Sequence, residues 1–330
     1  MKAIVQDRYG PAEVLELRDI ATPELGDTDV LVRVRAAGVD PGVWHVMAGL
    51  PYLLRVVGFG FRGPKVPVRG LDLAGTVAAT GKAVTRFAVG DEVFGIGVGS
   101  FAELARAPES KLAPKPTNLS FEEAAAIPVS ALTALQALRD KGQLKPGQSV
   151  LINGAAGGVG TYAVQLAKHF GGRVTGVCST AKVDLIYSLG ADAVVDYTRE
   201  DFTTLAARYD LILDCVGNHS LLKLRRALTP RGTLVLVGSD GGSYGGGGRW
   251  LGGIDRLLRA LLLSPFIGQK LKGFIASERF EDLVALTSII EAGALRPVID
   301  RTFALHEAAD AVRHIAGGHA RGKVILRVAQ

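Results

Sequence analysis

The chain has 330 residues, 48% hydrophobic and 21% charged, enough for two domains with real cores, and its 42 Gly and 14 Pro stay below the roughly 25–30% share that marks low complexity. Two cysteines, Cys178 and Cys215, exclude a disulfide framework and a four-thiolate zinc site, and the composition reads as a reduced, cytoplasmic protein. The net charge of +6 is scattered; its densest groups, at 249–259 and 270–272, are interleaved with Leu and Gly and lack aromatic stacking positions, so no nucleic-acid partner is expected.

The opening Met1-Lys2-Ala3-Ile4-Val5 turns polar too soon for a signal peptide. Short β-branched or alternating runs at 2–5, 30–36, 74–80 and 92–94, separated by Gly, Pro and Asp turns, predict a β-rich first hundred residues. Ser120 followed by Glu123 is a capping box that opens a helix, and a second helix is expected at 131–140. Strands at 150–153, 173–178, 193–196, 211–215 and 233–237 then alternate with helices at 159–170, 182–189, 199–207 and 220–228. These strands are apolar on both faces, as in a parallel sheet covered by helices on both sides. The stretch 146–167 carries no charge, but the Asn153-Gly154-Ala155-Ala156-Gly157-Gly158 run at its centre suits a turn rather than lipid, so no membrane span is expected.

A glycine-rich segment at 238–248 reads as a loop, and 250–267 as an amphipathic helix that lids the substrate site, forms a dimer surface or joins the core. A sixth strand at 270–276 and a helix at 280–292 follow. The last strand, 323–328, has no helix after it and is expected to return to the first sheet, making that domain discontinuous. The fold class is therefore α/β: a β-rich domain and a doubly wound, Rossmann-type domain.

The strand at 150–153 runs through a glycine turn into a helix. Small residues there let backbone amides approach a diphosphate, and the helix N-terminus adds partial positive charge. The fingerprint reads Ala155-x-Gly157-x-x-Gly160 and places Gly157, Gly158 and Val159 at a dinucleotide. After the next strand, where a NAD-preferring fold carries Asp or Glu, stand Ser179 and Lys182, groups suited to a 2′-phosphate; Asp184 falls inside the following helix. NADPH is the expected cofactor.

Beyond the glycine turn, the chain carries Ala36-Ala37-Gly38-Val39-Asp40-Pro41, Gly70-Leu71-Asp72-Leu73-Ala74-Gly75, Val89-Gly90-Asp91-Glu92-Val93-Phe94-Gly95 and Leu132-Thr133-Ala134-Leu135. Leu189-Gly190-Ala191-Asp192, Asp214-Cys215-Val216-Gly217 and Arg321-Gly322-Lys323-Val324 complete the set. With these motifs the whole chain resembles the medium-chain dehydrogenase/reductase superfamily, in its zinc-independent quinone oxidoreductase branch. The resemblance implies a GroES-like catalytic domain at 1–122 and 279–330 and a Rossmann domain at 123–278. It also implies a homodimer. Thr133, Val159, Val216, Gly217 and Gly238 are implied at the nicotinamide half, Tyr197 near the adenosine phosphate, and Lys323 among the cofactor contacts. The zinc-dependent relatives carry a Cys and a Gly-His-Glu where this chain has Asp40-Pro41 and Gly70-Leu71-Asp72, so no metal is expected.

The implied activity is NADPH-dependent reduction of a quinone or of the C=C of an α,β-unsaturated carbonyl compound, a small hydrophobic substrate. The alternatives are a non-catalytic NADPH-binding protein and an alcohol dehydrogenase of the same superfamily. Candidate substrate groups are Asp40, His45 and Tyr52. His45 is either a hydrogen-bond donor and general acid or a packing residue, and Tyr52 either a carbonyl donor or an amphipathic wall. The branch commonly has Asn where Asp40 stands, a departure that leaves the substrate open.

Overall fold

The last strand does return to the opening sheet: in the computed structural model, which describes residues 1–238 and 248–328, Lys323–Arg327 pairs antiparallel with Asp29–Val39. The elements run in order β1 (Lys2–Val5), β2 (Glu16–Asp19), β3 (Asp29–Val39), α1 (Pro41–Ala48), α2 (Tyr52–Leu54), β4 (Asp72–Thr80), β5 (Glu92–Ile96), β6 (Leu104–Pro108) and β7 (Leu112–Pro114). Next come α3 (Phe121–Ala125), α4 (Pro128–Gln136), β8 (Ser149–Asn153), α5 (Gly158–His169), β9 (Arg173–Cys178), α6 (Val183–Ser188), β10 (Ala193–Asp196), β11 (Tyr209–Asp214) and α7 (Leu221–Ala227). The remainder is β12 (Leu228–Leu236), α8 (Ile254–Leu263), β13 (Lys270–Gly273), α9 (Phe280–Glu291), β14 (Ile299–Ala304), α10 (Ala308–Ala316) and β15 (Lys323–Arg327). Two units result, 1–132 with 277–330, and 133–276.

In the first unit a sheet of order β14-β15-β3-β4-β5-β7, with β6 also on β3, lies beside the β1-β2 hairpin. Its core is built from fully buried strand residues such as Val32, Leu73, Phe94 and Ile325. Each such side chain contributes about 1.5–3 kcal/mol of burial. Gly38 on β3 is required by packing, because a Cβ there would meet Ala125 O at 2.7 Å and the Asp72 Cβ at 2.8 Å. The capping box forms as expected: the Ser120 hydroxyl accepts from Glu123 N–H at 3.2 Å, and the Glu123 carboxylate from Ser120 N–H at 2.8 Å.

The expected boundary at 122/123 moves to 132/133, and that at 278/279 to 276/277. The reason is local. Ala124, Ala125 and Ala126 are fully buried, and Val129 N–H donates to the Asp72 carboxylate at 2.9 Å, which binds 123–132 to the first sheet.

In the second unit six parallel strands stand in the order β10-β9-β8-β11-β12-β13, with the direction of winding reversing between β8 and β11. The inner strand residues Leu151, Ile152, Ile212 and Leu213 are fully buried, which accounts for their lack of polar alternation. The helix expected at 199–207 is absent. A short turn, Phe202–Thr204, replaces it, because the Asp201 carboxylate captures Thr203 N–H and the Arg208 guanidinium binds the carbonyls of 205, 206 and 207.

The apolar segment at 250–267 becomes α8, which buries Ala260 and sets Leu257 against Gly273 of β13 while Leu258, Leu261 and Leu262 remain exposed. The glycine-rich stretch 239–247 lies outside the described residues. No helix among the described residues is long and apolar enough to cross a membrane.

Candidate active site

Every expected cofactor contact except Lys323 lies in the second unit, most of them near the carboxyl edge of its sheet, where open α/β folds bind ligands at the switch of strand order. β8 leaves the sheet through Gly154, whose φ of +82° is left-handed and where a Cβ would meet Val216 Cγ2 at 2.6 Å. The tight-turn role thus falls to Gly154 rather than Ala155. At Gly160 a Cβ would meet Gly154 O at 2.1 Å, so this glycine lets the helix sit on the strand end.

Gly157 differs. A Cβ there would touch only Gly154 O, at 3.5 Å, so the fold itself tolerates a side chain. Gly157 is the N-cap of the twelve-residue α5 and supplies no capping side chain. The first hydrogen bond of that helix is Thr161 N–H to Gly157 O at 3.0 Å, so the amides of Gly158, Val159 and Gly160 precede it. An amide-lined helix start with glycine at 157, 158 and 160 fits a dinucleotide diphosphate.

One strand over, Ser179 is half-buried at the end of β9 and Lys182 closes the next turn. Asp184 is exposed on the first turn of α6. Asp196 ends β10 and is engaged: it accepts from the Thr180 hydroxyl at 2.5 Å and the Thr198 hydroxyl at 2.7 Å, with Arg199 at 3.4 Å. The Thr180 bond leads in holding its pKa below the usual carboxylate range. Tyr197 is 61% exposed beside this edge. Burial pushes the Cys178 thiol up to about 11 and raises that of Cys215 further, so both stay protonated and unreactive.

At the ends of β11 and β12, Asp214 is a fully buried hub. Its Oδ1 accepts from Asn153 Nδ2 at 2.8 Å, Gly217 N–H at 3.0 Å and Val216 N–H at 3.3 Å. Its carbonyl takes the N–H groups of Val237 and Gly238, both at 3.0 Å. A Cβ on Gly238 would meet Cys215 O at 2.1 Å, so the two backbones lie against each other. Thr133 sits half-buried in α4.

The candidate substrate groups belong to the first unit. His45, on α1, holds Leu50 O through Nδ1 at 3.0 Å, which makes Nδ1 the protonated nitrogen of the neutral ring. Nε2 then donates only from the imidazolium. Tyr52 forms a stack that sequence reasoning missed. The Arg55 guanidinium lies 4.7 Å from the Tyr52 ring centroid and 4.3 Å from that of Tyr9, and it caps α1 by donating to Gly49 O at 2.7 Å and Ala48 O at 3.2 Å. Tyr9 in turn donates to Gly60 O at 2.7 Å. The signal was in the sequence: a cation three residues after an aromatic, just past a helix end.

Two expected site residues take other roles. The Asp40 carboxylate is buried and paired with the Lys323 ammonium, which is itself 1% exposed and also bonds Asp72 at 3.0 Å and the Ser130 hydroxyl at 3.2 Å. Asp40 is therefore a buried charge partner rather than a substrate contact, and Lys323 spends its ammonium in the first unit rather than on a cofactor. Burial would raise the Asp40 pKa, but the Lys323 charge and the bonds from Asp72, Lys323 and Ser130 outweigh it and hold it low. Burial, then the Asp40 charge, drive Asp72 well above the carboxylate range. Asp40 Oδ2 has no hydrogen-bond donor among the described residues, and the neighbouring carboxyl whose pKa is raised is that of Asp72. These residues do not fit a catalytic zinc: an ammonium already bridges the two carboxylates, and the intervening position is Leu71. Among the described residues no three His, Cys, Asp or Glu side chains gather as metal ligands.

Two family models match the chain, the second of them running across the boundary at 276/277. Residues 26–117 match the alcohol dehydrogenase GroES-like domain, and 189–326 match the model described as zinc-binding dehydrogenase. The chain is 32% identical over 342 residues to the 2-methylene-furan-3-one reductase of Solanum lycopersicum, covering 99% of this chain and 79% of the relative. It is 31% identical over 338 residues to the quinone oxidoreductase of Homo sapiens, covering 99% and 97%. The quinone oxidoreductase structure from Coxiella burnetii superposes with a TM-score of 0.86 at 30% identity, covering 100% of this chain and 99% of that one. Fold and site together define a pyridine-nucleotide-dependent oxidoreductase. More narrowly, the chain belongs to the medium-chain dehydrogenase/reductase superfamily, in the zinc-independent quinone oxidoreductase branch.

Proposed function

We propose that this protein is an NADPH-dependent reductase that acts on the conjugated C=C of enones and alkenals and on quinones, with no metal ion in the reaction. The observation that carries the reading is the amide-lined start of α5 followed, one strand over, by a turn that offers Ser179 and Lys182 and carries no carboxylate of its own, the nearby Asp196 being engaged by Thr180, Thr198 and Arg199. Amides 158–160 take the diphosphate, while the Ser179 hydroxyl and the Lys182 ammonium take the 2′-phosphate that a carboxylate would repel. Val216, Gly217 and Gly238 support the nicotinamide half through backbone, with Thr133 beside them and Tyr197 toward the adenosine. The bound nicotinamide supplies the hydride.

Tyr52 and His45 are assigned to the substrate oxygen. A hydrogen bond there stabilises the negative charge that develops when hydride reaches the β-carbon, which is the work a metal does in alcohol oxidation. The His45 ring is oriented for this role by its Nδ1–H bond to Leu50 O. The proton that completes the reduction reaches the α-carbon from water or from one of these donors.

The relatives' names converge on one substrate chemistry: a 2-methylene-furan-3-one, an alkenal or alkenone with NADPH, and a quinone each present an unsaturated system conjugated to a carbonyl. The test is to follow loss of NADPH absorbance with an enone, an alkenal and a quinone, and to compare NADH and the reverse reaction with simple alcohols. Turnover of the conjugated compounds with preference for NADPH is expected. Alcohol oxidation without enone reduction, or saturable NADPH binding with no turnover of any of the three, refutes the assignment.

A further inference from the structure

We infer that Arg256, on α8, is a positioning residue for the nicotinamide end of the cofactor site, so that α8 acts as a strut for that subsite. The inference rests on the cofactor reading above. All its contacts lie within the second unit. Arg256 Nη2 donates to Asp214 Oδ2 at 2.5 Å and to His219 O at 3.1 Å, and Nη1 donates to Gly238 O at 3.3 Å. The guanidinium is 14% exposed and its carboxylate partner fully buried.

One side chain thus ties three points: the Asp214 carboxylate at the end of β11, the His219 carbonyl just after the turn that carries Val216 and Gly217, and the Gly238 carbonyl after β12. These are the segments assigned to the nicotinamide half. Asp214 is bound on one oxygen by the Asn153 side-chain amide and the backbone amides of Val216 and Gly217 and on the other by Arg256, so its carboxylate transmits the position of α8 to that turn. No other ion pair reaches Asp214 among the described residues. A carboxylate in a fully buried position without its cation pulls its remaining donors into a new arrangement, because those amides and the Asn153 side chain must then carry the whole charge. The planar fork is needed as well: a lysine supplies charge but cannot span a carboxylate and two carbonyls on different loops.

The diphosphate amides of 158–160 and the Ser179–Lys182 turn belong to other strand ends, and β8 is linked to Asp214 through the Asn153 side chain, one bond further from Arg256 than the nicotinamide turn. The consequence is a split between the two halves of one cofactor. The proteins compared are wild type, Arg256→Gln and Arg256→Lys. Each is titrated calorimetrically with NADPH and with adenosine 2′,5′-bisphosphate, which has the adenosine half and no nicotinamide.

Arg256→Gln is expected to weaken NADPH by about tenfold or more, the scale of one charge-assisted bond, while the bisphosphate changes by less than about twofold. Arg256→Lys should fall between wild type and Gln for NADPH only. If Arg256→Gln does not fold, the Lys variant decides by the same split. Equal weakening of both probes, or no change in either, overturns the inference while leaving the cofactor reading intact. Wild-type protein that binds neither probe overturns the cofactor reading and this inference with it.

Discussion

Neutralising the buried Asp40–Lys323–Asp72 cluster one carboxylate at a time is expected to give strongly non-additive stability. The three side chains are 6%, 1% and 0% exposed, and two carboxylates against one ammonium would leave an excess negative charge if all were ionised. Asp40→Asn or Asp72→Asn alone leaves a single carboxylate opposite Lys323, a neutral buried pair. Each should cost about 1 kcal/mol, the scale of one hydrogen bond. The double substitution strands the ammonium and should cost about 3–5 kcal/mol. In a domain of roughly 150–250 residues this is a Tm fall of about 10 °C, against about 2–4 °C for either single change.

The pH dependence has a definite sign. The folded pKa of Asp72 is raised, so its contribution is complete below the unfolded carboxylate range and is lost as pH rises through the folded value. Wild type should therefore lose stability relative to Asp72→Asn as pH increases. Thermal and urea unfolding of the four proteins at several pH values measures both effects. Single changes whose costs simply add up to that of the double would refute the shared-charge picture.

Gly157→Ala should fold with unchanged Tm, since its Cβ meets nothing closer than 3.5 Å, yet weaken NADPH binding measurably by crowding the amides. Gly160→Ala, whose Cβ meets a carbonyl at 2.1 Å, should lose about 1–3 kcal/mol of stability in urea denaturation. Lys182→Ala should raise the KM for NADPH about tenfold and leave that for NADH within about twofold, as steady-state kinetics would show. Arg55→Met removes the cap on α1 and the stack on Tyr52, and should lower kcat/KM for the enone while the NADPH Kd stays unchanged.

Much of the second unit was legible because its chemistry is local. The strand at 173–178, the glycine turn and the helix after it follow from periodicity and small residues within a dozen positions. The 199–207 segment misled because Asp201 and Arg208 compete for backbone groups that a helix would use, which composition does not reveal. In the first unit the returning strand was legible from its missing helix, but its lysine was not. Lys323 meets Asp40 and Asp72 from across the sheet, 283 and 251 residues away in sequence. What the sequence did offer was Asp72 and Asp214, carboxylates placed in otherwise apolar strand ends, where burial demands a cationic partner. Neither points by itself to Lys323 or Arg256.

The most direct measurement follows the hydride. Protein treated with a chelator is incubated with an enone and NADPH deuterated at its transferable hydrogen, and the product is analysed by mass spectrometry and NMR. One deuterium on the β-carbon of the saturated ketone, at a rate unaffected by the chelator, is the predicted result. Deuterium on the carbinol carbon, or activity that disappears with the metal, would contradict it.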